Sequence, residues 1–296
     1  MAPMLKISLA AATMLAGAGL AAQAHELTAS PVMTEGGFRP SPAHARVFAS
    51  PEAAFVPEGW DMAIVSNQDG DAPGFLSLLN PDGSVENLHW VDDERFLNPT
   101  GLRSYGDMLY VANGVQIVAV DMEAAAVTDV YDCEGAQFVN DIATGPDGTV
   151  YGSESFGGGI FRVSPGSDTC EWFVEGGDPN LQTINGLLGT EDALIAVTIP
   201  GRVVSVDYET GETTLLGEGV GSLDGVEPAP GGEGFLLSDT NGKILHFHDG
   251  ETQVLIDSSS AGIGANDMAF DTDLGVAYLA RAGWDTISLY KIEIAE

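Results

Sequence analysis

Oxygen-bearing side chains recur at intervals of about forty residues along the chain. They stand before or within apolar stretches at Glu52, Thr100, Asn140, Asn185, Asp224 and Asn266, at successive spacings of 39 to 48 residues. Two carboxylates and two amides among them, Glu52, Asn140, Asn185 and Asp224, would form an all-oxygen ligand set if the fold brought them to one point. Oxygen ligands of mixed charge suit a hard cation, Ca²⁺ first and Mg²⁺ second.

The elements that must position these residues are clearest in residues 138–163, FVNDIATGPDGTVYGSESFGGGIFRV. An Asn-Asp pair is followed by an apolar strand, a Pro-Asp-Gly turn, a second strand, a Gly-rich loop and a third strand. Pro146 presets φ at the first corner of the turn and Gly148 tolerates positive φ at its end. A fourth strand is predicted at residues 171–174, which makes a four-stranded antiparallel meander.

Six such units can be aligned, and a period near forty residues is typical of a propeller blade. We therefore predict an all-β fold, a six-bladed β-propeller of four-stranded antiparallel blades. The last unit lacks a fourth strand, and residues 46–50, RVFAS, are predicted to supply it from the N-terminal side. Such closure would remove exposed sheet edges. Because the innermost strands all begin at one face of the channel, the recurring polar residues should converge there.

Two glutamates compete for the leading position of the first unit. Glu52 lies 14 residues before Ser66, which matches the 13 to 14 residues between the corresponding positions of other units, whereas Glu58 lies only 8 before it. We predict that Glu52 leads the blade and that Glu58 belongs to the following turn; the structure must decide between them.

These motifs resemble those of the gluconolactonase and regucalcin (senescence marker protein) family of six-bladed propellers, with relatives among the paraoxonases and the diisopropyl fluorophosphatase type. The Asn-Asp pair at Asn140, the sequence INGL around Asn185 and LDGV around Asp224 carry the resemblance. It implies a divalent metal held by these three residues and Glu52. Ca²⁺ is the first expectation, with Mg²⁺ or Zn²⁺ as alternatives. After Glu52, however, two alanines stand where the family more often has Gly-Pro.

The resemblance also implies a hydrolase that opens a lactone or related ester. The metal would polarise the carbonyl and a carboxylate would act as general base, with Asp224 the first candidate and Asp141 the second. The pocket wall is expected from the loops after each second strand. Its candidates are Asn67, Asn113, residues 153–156, Thr198, residues 239–241 and Trp284, and the expected partner is a small, hydroxylated molecule.

Two other functions stay open. One is a non-catalytic propeller that binds a ligand or protein and keeps Ca²⁺ as a structural ion, which the absence of a clear acid/base partner favours. The other is a metal-free relative of the strictosidine synthase kind. A metal-free channel, however, has no need to converge two acids and two amides.

Residues 1–24 look like a cleaved export signal, with Lys6, an apolar run and the ending Ala22-Gln23-Ala24. A retained membrane anchor is the alternative. Cleavage predicts a periplasmic or secreted protein with no membrane contact, in which residues 25–41 form an N-terminal extension and residues 42–296 form the propeller. The two cysteines, Cys133 and Cys170, are then permitted to pair, but the repeat positions alone leave the pairing open.

The formal net charge is −34, from 44 Asp and Glu against 10 Lys and Arg. Nucleic acids and anionic membranes need a positive face, so both are excluded as expected partners. Most of these carboxylates should form a solvated surface, and we expect a monomer.

Overall fold

The computed structural model describes residues 26–32 and 47–295. Within these residues the strands form six antiparallel sheets of four strands each, and the helical segments are short 3₁₀ turns. The predicted six-bladed β-propeller is therefore confirmed. No helix among the described residues is long and apolar enough to cross a membrane.

The strands follow the chain blade by blade. β1 (Leu27–Pro31) comes first. Blade one contains β2 (Pro51–Phe55), β3 (Ala63–Asn67), β4 (Phe75–Leu79) and β5 (Val85–Asp92). Blade two contains β6 (Pro99–Tyr105), β7 (Met108–Asn113), β8 (Gln116–Asp121) and β9 (Ala126–Asp132). Blade three contains β10 (Val139–Thr144), β11 (Val150–Glu154), β12 (Gly159–Val163) and β13 (Glu171–Val174).

The second half repeats the plan. Blade four contains β14 (Ile184–Gly189), β15 (Leu194–Thr198), β16 (Val203–Val206) and β17 (Thr213–Gly217). Blade five contains β18 (Leu223–Pro228), β19 (Phe235–Asp239), β20 (Lys243–His248) and β21 (Glu251–Asp257). Blade six contains β22 (Met268–Asp271), β23 (Val276–Arg281) and β24 (Thr286–Ile294), and β1 is its fourth strand. The 3₁₀ turns are Pro179–Leu181, Pro230–Gly232, Ser259–Ala261 and Ala282–Trp284.

The turn in blade three forms as its sequence predicts. Gly148 has φ +85°, and its amide donates to the carbonyl of Gly145 at 3.0 Å. The Asp147 carboxylate accepts the amide of Thr149 at 2.9 Å, which fixes the turn from its own side chain. β10 and β11 consequently pair as an antiparallel hairpin, with Thr144 opposite Val150.

The strand that closes blade six is Leu27–Pro31, and the prediction that residues 46–50 supply it is wrong. Leu27 pairs with Ile294 and Pro31 with Tyr290, and Leu27 is buried in the core of that blade. The closing strand thus lies inside residues 25–41, which we predicted as an extension. The export signal predicted at residues 1–24 lies outside the described residues.

The described part of the misassigned segment, residues 47–50, forms bends instead of a strand. Its amides are bound by loop side chains: Ala49 donates to Oδ1 of Asn67 and Ser50 donates to Oδ1 of Asp285, each at 3.1 Å. Phe48 is buried against Tyr278 and its neighbours. The segment, held by these contacts, is a linker that leads into β2.

Apolar clusters fill the spaces between neighbouring blades. Between blades one and two, for example, Leu76, Phe96 and Leu109 are fully buried together. Burying such a side chain contributes about 1.5–3 kcal/mol. The blades are therefore held to one another by side-chain packing, and the inner strands are rigid supports for the residues that face the channel.

A disulfide joins blades two and three. Cys133 follows β9, Cys170 precedes β13, and the two residues form a bond with their Cα atoms 4.9 Å apart. Next to it, the rings of Phe161 and Trp172 stack with their centroids 3.7 Å apart. The structure thus settles the pairing that the sequence left open.

Candidate functional site

Five of the six recurring polar residues occupy the same place in their blades. Each is the second residue of an innermost strand: Glu52 in β2, Thr100 in β6, Asn140 in β10, Asn185 in β14 and Asp224 in β18. Asn266 lies two residues before β22 and takes the corresponding place in blade six. Glu58, the competitor of Glu52, is exposed in the turn between β2 and β3.

A β-bulge marks this place in blades one to five. The register of each innermost strand shifts between its first and fourth residues, as between Val139 and Ile142, so two residues face a single residue of the next strand. In three blades that single residue is a serine that accepts the amide of the bulged third residue; in blade three, Ser153 accepts from Asp141 at 3.0 Å. Bulges redirect side chains. The repeated bulge therefore gives the second residues a common environment.

The third residues of the inner strands pack the blades against each other. Asp141 accepts the amide of Ile142 at 2.7 Å and, from the next blade, the amide of Leu187 at 2.6 Å. A Cβ placed on Gly101 in the preceding blade would lie 1.9 Å from Oδ1 of Asp141. Both oxygens of Asp141, the second candidate base, are thus hydrogen-bonded, and Oδ2 joins two blades.

The four predicted metal ligands differ in how their side chains are bound. Glu52 accepts a hydrogen bond from Nδ2 of Asn266 at 3.0 Å, and Asn140 donates from Nδ2 to the hydroxyl of Ser155 at 3.1 Å. Oδ1 of Asn185 is buried and has no hydrogen-bond partner among the described residues. Such an orphaned buried acceptor needs an explanation. A cation in the channel would supply the missing partner, so this set fits a metal.

Both acidic members have a raised pKa, and Glu52 contributes to the raised pKa of Asp224. Burial raises the pKa of Glu52 to about 7, against the hydrogen bond from Asn266, which lowers it. Burial also raises the pKa of Asp224 well above its usual range, and the carboxylates of Glu52 and Asp141 add to the effect. Carboxylates this close favour protonation unless a positive charge lies among them. The electrostatics therefore also fit a cation.

No three His, Cys, Asp or Glu side chains within residues 26–32 and 47–295 form a group that could hold a metal ion by themselves. A metal at this place would depend on the amide oxygens of Asn140 and Asn185 as well as on Glu52 and Asp224. Such mixed sets of carboxylate and carbonyl oxygens suit Ca²⁺.

A buried ion pair spans the channel next to this site. Arg103 and Glu227 are the fifth residues of β6 and β18, in the opposite blades two and five, and Nη1 lies 2.9 Å from Oε1. Burial alone would lower the pKa of Arg103, but Glu227, Asp141 and Asp267 raise it overall. The guanidinium also stacks over Phe55, 5.1 Å from the ring centroid. The pair thus links the innermost strands of two blades on opposite sides of the ring.

Most of the side chains that we predicted for the pocket wall are buried at the ends of the second strands. Asn67, Asn113, Ser153, Thr198 and Asp239 are 0–4% exposed. Oδ1 of Asn113 accepts the amides of residues 97 and 98, Oγ1 of Thr198 accepts the amide of residue 202, and Oδ1 of Asp239 accepts the amide of residue 241. These polar groups shape the loops instead of lining a pocket.

The apolar members of the same loops face solvent. Phe156 is 71% exposed and Trp284 is 37% exposed, and Leu97, which the sequence analysis did not single out, is 60% exposed. The sequence alone did not predict that these large apolar side chains would be exposed on one face.

Several solved structures have a fold similar to that of this chain. The structure of a gluconolactonase from Xanthomonas campestris matches with a TM-score of 0.66 and 16% identity, over 83% of this chain and 87% of that one. A virginiamycin B lyase from Staphylococcus aureus matches with a TM-score of 0.60 and 13% identity, over 90% and 99%. A second structure named for the gluconolactonases gives 0.62 and 14%, over 90% and 92%.

Sequence comparison gives a second link. The adipocyte plasma membrane-associated protein of Salmo salar is 24% identical over 214 residues, which are 60% of this chain and 51% of that protein. The chain thus spans about half the length of this curated relative. No family model matches the sequence. The predicted resemblance to the gluconolactonase propellers is confirmed at the level of the fold, and the chain is a six-bladed propeller similar to theirs.

Proposed function

We propose that this protein is a divalent-metal-dependent hydrolase that opens a lactone or a related ester, with Ca²⁺ as the first candidate metal. The observation that carries the proposal is the shared position of Glu52, Asn140, Asn185 and Asp224 at the second residue of four innermost strands. The orphaned Oδ1 of Asn185 supports it independently.

The four residues would hold the ion, which when bound supplies Lewis-acid polarisation of the carbonyl and acidifies water. Asp224 takes the proton from the attacking water as general base, a role that its buried position at the second residue of β18 allows. The water oxygen bonds to the carbonyl carbon, the ring C–O bond breaks, and the proton passes to the ring oxygen. The product is a hydroxy acid.

The similar structures support this reaction class without deciding it. One solved structure is named as a gluconolactonase and another as a lyase, so the same fold carries more than one chemistry. The site residues must therefore carry the assignment.

The test is lactone opening by purified protein with Ca²⁺ and with excess chelator. Chelation should abolish turnover, and Asn140→Ala or Asp224→Ala should each lower kcat/KM by at least about 100-fold, because loss of groups that hold a metal costs that much or more. Asp273→Ala, an exposed carboxylate in the turn between β22 and β23, is the matched control and should leave turnover unchanged. Full activity in chelator would refute the proposal.

A second candidate is a non-catalytic propeller that uses Ca²⁺ to stabilise the channel. The buried carboxylates of Glu52 and Asp224 favour it, because a cation would relieve their repulsion whether or not chemistry follows. A drop in Tm on chelation, together with no hydrolysis across lactones, esters and phosphotriesters, would select this candidate.

Export to the periplasm or the medium is also part of the proposal. The disulfide between Cys133 and Cys170 supports it, because disulfides persist mainly in oxidising compartments. Cell fractionation of the full chain tests this: the protein should leave the cytoplasm with both cysteines oxidised, and a cytoplasmic, reduced protein would contradict it.

A further inference from the structure

Large apolar side chains are exposed on the face where the innermost strands begin. Leu97 lies in the link between β5 and β6, Phe156 in the loop between β11 and β12, and Trp284 in the loop between β23 and β24. They are 60%, 71% and 37% exposed. We call these three residues the apolar rim. Exposed apolar groups gathered around a site often mark where a ligand binds.

Each rim residue is connected to the candidate site. Phe156 directly follows Ser155, whose hydroxyl accepts from Asn140, and its ring lies 5.9 Å from that of Phe138. The amide of Leu97 is held by Asn113 in the segment that leads into β6.

Trp284 is connected through blade six. It ends the 3₁₀ turn that begins at Ala282, whose amide donates to Asn266 at 3.0 Å. Asn266 in turn donates to Glu52. Two hydrogen bonds thus separate the turn that carries Trp284 from a predicted ligand, so the rim borders the same site.

Four of the polar side chains that we predicted for this face are already engaged within the protein. Asn67 and Asn113 bind amides of the segments that lead into β2 and β6, and Thr198 and Asp239 bind amides of their own loops. A sugar lactone would lose its hydrogen bonds to water without gaining replacements from them, which costs free energy. The expected hydroxylated ligand therefore does not match the wall.

Charge further restricts the ligand. The chain carries a formal net charge of −34. An anionic substrate would be repelled on approach. A neutral molecule with an apolar part is not repelled by this charge, and its apolar part needs no hydrogen bonds from the wall.

We infer that the substrate of this site is a neutral lactone or ester with an alkyl or aryl substituent, which packs on the apolar rim while the carbonyl lies at the channel. The inference rests on the proposed function and narrows its substrate class. It assigns Phe156, Leu97 and Trp284 a role in substrate specificity.

The experiment measures kcat/KM for γ-butyrolactones with unbranched alkyl substituents of two to eight carbons, beside a sugar lactone. For wild type, kcat/KM should rise about two- to fourfold per added methylene until the chain extends beyond the rim, because each buried methylene favours binding. Phe156→Ser and Leu97→Ser should each flatten this dependence. Leu274→Ser, which removes an exposed leucine from the β22–β23 turn, is the control and should keep the wild-type slope.

The outcomes separate the two proposals. A wild-type enzyme that opens the sugar lactone faster than the alkyl lactones, or a slope that survives in Phe156→Ser, overturns the rim inference and leaves the hydrolase standing. If no lactone is opened, the proposed function fails. In that event, calorimetry with the corresponding alkyl γ-lactams still tests whether the apolar rim binds the substituent. Affinity that rises with chain length in wild type but not in Phe156→Ser supports this role. Affinity that does not depend on chain length, or no binding, overturns it.

Discussion

Replacing Glu52 with glutamine should stabilise the metal-free protein above neutral pH. Burial raises the pKa of Glu52 from 4.5 to about 7, so the folded state keeps this proton to higher pH than the unfolded state. Stability contributed by the protonated form is therefore complete below about pH 4.5 and is lost as pH rises towards 7. A shift of about 2.5 units corresponds to roughly 3 kcal/mol, at 1.36 kcal/mol per unit. This is an upper figure, because Glu52 keeps some contact with solvent.

Glutamine cannot ionise, yet it retains an oxygen that can accept the hydrogen bond from Asn266. In chelator, urea unfolding at pH 5 and pH 8 should therefore show a stability difference for wild type that is up to roughly 2.5 kcal/mol larger than for Glu52→Gln, because pH 5 already lies above the unfolded pKa. The Glu52 carboxylate also raises the pKa of Asp224, so the comparison reports the Glu52 charge together with its effect on Asp224.

Glu58→Gln is the matched control, because Glu58 is exposed in the neighbouring turn. It should reproduce the wild-type pH dependence. Added Ca²⁺ should reverse the order at pH 8: saturation at 100 times Kd stabilises wild type by about 2.7 kcal/mol, and Glu52→Gln, which binds the ion more weakly, should gain less. A Glu52→Gln protein that is less stable than wild type in chelator at pH 8 would refute the electrostatic reasoning.

Two further predictions concern stability. Arg103→Met should lower the free energy of unfolding by about 3–5 kcal/mol, because it leaves the buried Glu227 carboxylate without its partner, and Arg103→Met with Glu227→Leu should recover much of that loss. Replacing Cys133 and Cys170 with serine should cost roughly 3–4 kcal/mol, since the disulfide closes a loop with a sequence separation of 37. Urea unfolding measures both.

Each of these variants has an internal control. For the ion pair, a double variant no more stable than Arg103→Met would show that an unpaired buried carboxylate is not the cause. For the disulfide, wild type in reductant should match the serine variant. Equal stability of oxidised and reduced wild type would show that the bond adds nothing to the fold.

The repeat plan of the fold could be read from the sequence because its signals are local. The turn at Pro146 and Gly148, the alternation of the strands and the spacing of the leading residues each depend on neighbouring positions. Counting residues from Glu52 and Glu58 to Ser66 was enough to choose the correct leading glutamate. The repeated position of a polar residue in each blade follows from the same count.

The closing strand was misassigned because its pairing is not local. Leu27 meets Ile294 across almost the whole chain, and residues 46–50 have a similar alternation. The sequence between β1 and β2 carries no signal that selects one segment over the other. The hydrogen bonds of Ala49 and Ser50 to loop side chains decide it, and they require the folded structure.

The ion pair between Arg103 and Glu227 escaped prediction for the same reason. The two residues are 124 positions apart, and each alone looks like an ordinary strand residue. Each is the fifth residue of an innermost strand, and this shared position brings the two side chains together only when six blades close around a channel. The polar part of the pocket wall was misjudged because strand-end residues such as Asn113 bind backbone amides of a neighbouring segment, which composition does not reveal.

The most direct test of the account is an anomalous difference map from a crystal of the protein grown with Tb³⁺, a lanthanide that takes oxygen ligands as Ca²⁺ does. We predict one strong peak in the channel, coordinated by oxygens of Glu52, Asn140, Asn185 and Asp224. A map with no peak at these residues, or with Oδ1 of Asn185 turned away from the ion, would contradict the claim that the four strand starts form a metal site.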